Sequence, residues 1–195
     1  FLCDGDALVV RTADLVEILK TIRQLYPNLE GVRVYASARD ILHKPVEDLK
    51  LLHQLGLDMA YLGLESGSDR ILAQIDKGIT KAEMIEAAAA LRESGIRQSV
   101  SIIAGLGGEE LWREHMLETA DALTRMQPEF VGMLVLHAGN DSLMYQRILE
   151  GNFRLPSEPQ VLKEMKLLLE NLKLKNCYFT SAHASNYVHV RGLLP

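Results

Sequence analysis

The chain has 195 residues, with 21 Lys and Arg against 26 Asp and Glu, a net charge of −5, and 48% hydrophobic against 24% charged residues. That balance excludes a disordered tail, a collagen-like repeat and a disulfide scaffold, and it leaves enough apolar mass for a substantial core. The mild negative charge, with no Lys/Arg stripe on any segment, gives no signal of nucleic-acid binding, and no apolar run is long enough to suggest a membrane span.

The chain opens on Phe1-Leu2-Cys3-Asp4, with no initiator Met and no polar leader. This reads as a buried strand entered part-way, and so as part of a longer protein. Leu15, Ile18, Leu19, Ile22 and Leu25 then follow helical spacing behind a cap at Thr12 or Asp14. An apolar run over 32–38 predicts the next strand. Pro45 stands at a plausible first helical position, and Leu49, Leu52 and Leu55 continue that helix to Gly56. A third strand is predicted over 59–64, followed by a short helix holding Ile71, Leu72 and Ile75, with Ser68 as its cap. Thr80-Lys81-Ala82-Glu83 is a capping box that opens a helix closed by Gly95. Strands over 99–104 and 130–136, a helix over 111–126, a turn around Pro156 and Pro159, a helix over 161–174 and a weak strand over 177–180 complete the pattern.

The apolar runs lack clean polar alternation, which predicts strands buried on both faces, as in parallel sheets. Strand starts recur about every thirty residues, the length of a βαβ unit. Five or six such units make either a doubly wound α/β sheet or a partial (β/α) barrel, and periodicity does not choose between them. No linker divides the chain, so residues 1–195 read as one domain. The two cysteines, Cys3 and Cys177, have no C-x-x-C spacing, and free thiols point weakly to a reducing, cytoplasmic setting. Cys3 reads as a small core residue.

Ligands of parallel α/β folds gather at the carboxyl ends of the strands. Polar or small residues follow each apolar run: Asp4-Gly5-Asp6, Ser37-Ala38-Arg39-Asp40, Glu65-Ser66-Gly67-Ser68, Gly105-Leu106-Gly107-Gly108-Glu109 and His137-Ala138-Gly139-Asn140. Glu65 closes a strongly apolar strand and needs a partner there, either Arg39 on the neighbouring loop or a cation or hydroxyl of a ligand. The glycines around Gly105 lack dinucleotide or P-loop spacing but permit close approach of a flat ligand. His137 is a candidate acid or base, and His183 and His189 show no metal spacing. Arg39, His137 and Asn140 are candidates to face a substrate.

Taken together these loops resemble the radical S-adenosylmethionine (radical SAM) superfamily, in the branch of the coproporphyrinogen oxidase-like proteins and methylthiotransferases. The strongest segment runs from Gly63-Leu64-Glu65-Ser66-Gly67-Ser68-Asp69-Arg70 through Asp76-Lys77-Gly78-Ile79-Thr80. The resemblance implies a partial (β/α)6 TIM-type barrel that begins before its second strand, with strands and SAM loops over 1–140 and closing helices over 141–195. It implies S-adenosylmethionine (SAM) as cofactor: Asp4, Gly5 and Asp6 at the amino group, Glu65 and Ser66 at the ribose or methionyl part, and Ile103, Gly105, Glu109 and His137 around the adenine, with Arg39 on the same rim. It also implies a 4Fe–4S cluster, an electron donor such as flavodoxin or ferredoxin, and a substrate of unknown identity. The family's C-x-x-x-C-x-x-C motif is absent from this sequence, so the ligands are expected upstream of Phe1, no metal ligand is assigned here, and the chain alone is expected to be inactive. The alternatives are a cluster-free lyase using Glu65 and His137, and a non-catalytic scaffold domain. Segments 185–187 and 191–195 resemble the family's closing segment and read as a final packing element.

Overall fold

The computed structural model describes residues 1–195, with the side chain of Asp4 outside the described part. Seven strands form one sheet in chain order: β1 (Leu2–Asp6), β2 (Val32–Tyr35), β3 (Leu57–Glu65), β4 (Arg97–Ala104), β5 (Phe130–Val135), β6 (Cys177–Thr180) and β7 (Arg191–Leu194). β1 to β6 pair in parallel, and β7 turns back antiparallel on β6. The sheet is open, with β1 and β7 at its edges. This is the partial-barrel member of the two α/β architectures, not the doubly wound one.

Helices link the strands: α1 (Thr12–Leu25), α2 (Ala38–Leu42), α3 (Val46–Gln54), α4 (Asp69–Gln74), α5 (Lys81–Ser94), α6 (Gly108–Met126), α7 (Leu143–Leu149) and α8 (Glu158–Asn171). The capping box at Thr80 and Glu83 is present, and Gly95 ends α5 at φ 85°, a left-handed position that costs glycine little. Several ends differ from the periodic reading. α1 is preceded by Arg11, and Thr12 instead donates its hydroxyl to Asp48 at 2.7 Å, tying α1 to α3. Pro45 precedes α3 rather than opening it. α6 begins at Gly108, where glycines and glutamates hide the helical start. α7 was not expected at all; it buries no side chain, and therefore has no core-facing stripe to detect. β7 was not expected as a strand either. Its lead-in is fixed by Asn186, which donates to the Met133 and Ser181 carbonyls at 2.8 and 2.7 Å.

The strands are not buried on both faces. Along β4, Gln98, Val100, Ile102 and Ala104 are buried while Arg97, Ser99, Ser101 and Ile103 are half-exposed. The helix side holds the core, with Val34, Leu62, Val100, Val131 and Phe179 in one cluster. The other side is a concave, partly open face. The serines of β4 carried the alternation, but Ile103 and the tyrosines elsewhere masked it, since aromatic and aliphatic side chains occupy inward positions too.

Cys3 is exposed on β1, which corrects its assignment to the core, whereas Cys177 is buried on β6. Among the described residues no helix is long and apolar enough to cross a membrane.

Candidate functional site at the strand ends

A cleft of about 520 Å³ opens at the carboxyl ends of β1 to β4, where Asp6, Arg39, Asp40, Glu65, Lys77 and Ser101 meet. Glu65 is the last residue of β3 and adopts φ 59°, an uncommon conformation that swings its carboxylate across the cleft mouth. Its partner is Lys77, whose Nζ lies 3.0 Å from Oε1. Both side chains are largely covered, at 18% and 28% exposure, so the pair is shielded more than a surface ion pair. Gly63 makes room for it: a side chain there would collide with the Glu65 carboxylate and crowd Lys77.

The expectation that Arg39 pairs with Glu65 is therefore corrected. Arg39 donates to the Gly78 carbonyl at 2.9 Å instead, bracing the turn that delivers Lys77. The short helix α4 returns the chain to the rim just where a cation is needed, a proximity that adjacency of loops did not reveal.

The opposite wall is acidic. Asp6 accepts the backbone N–H groups of Leu8 and Ser37. Ser37 donates its hydroxyl to Asp40 at 2.6 Å and accepts the Asp40 N–H at 3.1 Å. Partial burial holds the Asp6 carboxyl above its ordinary range, against the pull of its Ser37 bonds, while the Ser37 hydroxyl holds Asp40 below its own. Gly5, next to Asp6, is exposed with φ +95°. The Asp4 side chain lies outside the described residues.

Ser66 faces away from the cleft. It is fully buried, its hydroxyl 2.8 Å from His115 Nδ1 and accepting the Ser68 N–H at 3.0 Å. His115 Nε2 lies 2.9 Å from the Ile103 carbonyl. A carbonyl only accepts, so Nε2 carries the proton and Nδ1 accepts from Ser66. Burial pushes His115 down to about 4, which keeps it neutral. Gly67 donates to Thr119 at 2.9 Å, and a side chain on Gly67 would strike the Glu118 backbone. The Glu-Ser-Gly-Ser turn is thus bolted onto α6. The polar pair His115 and Thr119, four residues apart on an otherwise apolar helix stripe, was the available signal for this.

Ile103, near the end of β4, and Gly105, on the loop after it, lie outside the lining of the cleft. Gly105, at φ +90°, donates its N–H to Glu164 at 2.7 Å, and a side chain there would crowd Pro156 and Leu136. Glu164 is wholly buried on α8, and that burial pushes its carboxyl up to about 7. Glu109 is removed from the cleft: it lines a smaller recess of about 240 Å³, with Arg154 3.8 Å away. His137 is exposed past the end of β5. The structure therefore brings Asp6, Arg39 and Glu65 into one cleft and leaves Gly5, Ile103, Gly105, Ser66, Glu109 and His137 outside its lining. Lys77, Asp40, His115 and Glu164 are additions that the sequence reading did not assign.

Comparison with known proteins identifies the lineage. Residues 1–122 match the family described as the radical SAM superfamily. The chain belongs to the radical SAM superfamily. Solved structures agree at the level of the fold. The N-terminally deleted Elp3 of the archaeon Methanocaldococcus infernus aligns with a TM-score of 0.67 at 13% identity, over 85% of this chain and 43% of that one. Escherichia coli coproporphyrinogen III oxidase (HemN), a radical SAM enzyme, aligns with a TM-score of 0.65 at 15% identity, over 86% and 39%. A domain of a pyruvate-formate lyase-activating enzyme from Bacteroides vulgatus aligns with a TM-score of 0.58 at 16% identity, over 89% and 95%. The chain thus spans about two fifths of the length of the first two. No curated protein sequence matches it. For a radical SAM protein the superfamily implies SAM and a 4Fe–4S cluster. Cys3 and Cys177, on strands far apart in the sheet, do not fit a cluster's ligand set. Burial and the nearby Glu129 push the Cys177 thiol up to about 12, far from a ready thiolate. Among the described residues no group of three or more His, Cys, Asp and Glu could hold a metal.

Proposed function

We propose that the cleft between Asp6 and Lys77 binds SAM, and that the chain is the SAM-binding part of a radical SAM enzyme. The observation that supports this reading best is the placement of an acidic wall opposite a shielded cation in a cleft of about 520 Å³, within the usual range of about 300–1,000 Å³ for small-molecule sites. SAM carries an ammonium and a carboxylate on one end, and such a cleft answers both charges. Asp6, with the adjoining Asp4-Gly5 backbone, takes the ammonium. Lys77 takes the carboxylate, while Glu65 accepts from ribose hydroxyls. Ile103 and Gly105 border the adenine, with Glu109 and His137 assigned there by resemblance alone.

When bound beside a reduced cluster, SAM supplies the one-electron chemistry of the superfamily; the residues of this chain bind it, orient it and keep water from it. The cluster thiolates and an electron donor such as flavodoxin or ferredoxin belong, in this reading, to the enzyme of which the chain is a part. A proton-transfer lyase gains no support, because Glu65 is engaged by Lys77 and His137 is not in the cleft. The test is calorimetric titration of the chain with S-adenosylhomocysteine, alongside Lys77→Ala and Asp6→Asn. Each substitution is expected to weaken binding about tenfold, the cost of one charge-assisted hydrogen bond. No binding by the folded chain, or binding indifferent to both substitutions, would overturn the reading.

A further inference from the structure

The inward positions of successive strands fall into layers. Strand register places Tyr35, Tyr61, Ser99, Phe130, Tyr178 and Leu193 in one row across the concave face. The rings form a cluster of three and a pair, with Phe1 packed on Tyr35 at 4.8 Å and on Tyr61 at 5.4 Å between centroids. Tyr35 and Tyr61 meet edge-on at 5.9 Å between centroids, and Phe130 and Tyr178 tilt together at 6.4 Å. Ser99 alone stands between the cluster and the pair. Neighbouring strands lie about 4.8 Å apart, so the chains bearing Tyr61 and Phe130 are about 10 Å apart across it.

The next row toward the cleft is small from β3 to β6, with Gly63, Ser101, Gly132 and Thr180, and ends on Arg191 of β7. A side chain begun at Gly132 would meet nothing within 4 Å. Glycine inside a strand costs stability, and its presence beside open space marks a place where something else approaches. Toward the amino ends of the strands the next inward row is Arg33, Met59 and Arg97, with Met59 buried and Asp58 beside it pairing with Arg97 and more distantly with Arg33. Glu129, which accepts the Gln98 N–H beside Arg97, adds a second carboxylate, so two guanidiniums there face two carboxylates.

The geometry points to a slot over Ser99 that takes a planar aromatic ring of the substrate between the Phe1–Tyr35–Tyr61 cluster and the Phe130–Tyr178 pair. This inference rests on the reading of the adjoining cleft as the SAM site, since the slot opens into it through Tyr61, Gly63 and Ser101. A ring seated there comes within the roughly 4.5–7 Å centroid distance at which aromatic rings attract. The Ser99 and Ser101 hydroxyls face its edge, which suits a ring bearing a polar substituent.

The test uses 2-naphthoate as probe and its saturated counterpart, decahydronaphthalene-2-carboxylate, titrated into the chain beside S-adenosylhomocysteine. Naphthoate is expected to bind at least about tenfold more tightly than the saturated acid, because only the flat ring stacks. Ser99→Phe fills the slot and should weaken naphthoate at least about tenfold while leaving S-adenosylhomocysteine within about twofold. Gly132→Leu, at a position with space for a side chain, should do the same and stands in if Ser99→Phe does not fold, as judged by circular dichroism. The inference is overturned if naphthoate fails to bind the folded chain, if the saturated acid binds as well, or if both substitutions leave naphthoate binding unchanged. Slot behaviour as expected, with no S-adenosylhomocysteine binding, would sink the reading of the cleft and leave the ring site standing.

Discussion

Lys77 Nζ stands 3.0 Å from Glu65 Oε1, and this contact joins the end of β3 to the turn after α4. Neither group is comfortable alone, because both are mostly withdrawn from water. Lys77→Met is therefore expected to destabilise the chain by about 1–3 kcal/mol, the cost of an unpaired, partly buried carboxylate. The double variant with Glu65→Gln should recover part of that loss, with a coupling energy of about 0.5–3 kcal/mol. Urea unfolding of the two single variants and the double variant measures it. Additive losses would show that the contact contributes nothing.

Gly63→Ala should act on the same pair without touching its charges, since the added methyl meets the Glu65 carboxylate. The far end of a flexible side chain can move aside, so the fold should survive with a loss of about 1 kcal/mol. S-adenosylhomocysteine affinity should fall more than stability does. Calorimetry beside thermal melting separates the two effects.

His115 links two loops through Ser66 and the Ile103 carbonyl, and burial holds it down to about 4 against 6.5 when unfolded. Below 6.5 the unfolded chain takes up a proton that the folded chain refuses. The contribution of His115 to stability is therefore complete above pH 6.5 and is lost as pH falls toward 4. His115→Ala should cost about 2–4 kcal/mol at neutral pH, because it leaves a buried hydroxyl and carbonyl unpaired and opens a cavity. Melting temperatures across pH 4–8 should show a shallower acid slope in the variant.

Glu164 has the opposite sign. Its folded carboxyl titrates at about 7 against 4.5 unfolded, so stability is full below 4.5 and is lost as pH rises through 7. Glu164→Gln keeps an acceptor for the Gly105 N–H and cannot ionise. It should match the parent near pH 4.5 and exceed it at pH 8, by melting temperature. Equal melting at both pH values would contradict a buried, protonated carboxyl.

Much of the fold was legible because it rests on local rules. The capping box at Thr80, the glycine ending α5 and the six apolar runs each report their element without tertiary help. The rim position of Asp6, Arg39 and Glu65 followed from the rule that βα loops gather at the strand ends. What stayed hidden depends on three-dimensional closure. Lys77 reaches Glu65 only because α4 is short, and Glu164 meets Gly105 from 59 positions further along the chain. The inward row from Tyr35 to Tyr178 was masked because tyrosine and phenylalanine count as apolar whether they fill a core or line an opening.

The most direct test of the account is a crystal structure of the chain with S-adenosylhomocysteine. The account predicts the ligand in the cleft, its ammonium against Asp6 and its carboxylate about 3 Å from Lys77 Nζ. Density for the ligand in the recess beside Arg154 and Glu109, with the cleft between Asp6 and Lys77 left to solvent, would contradict it.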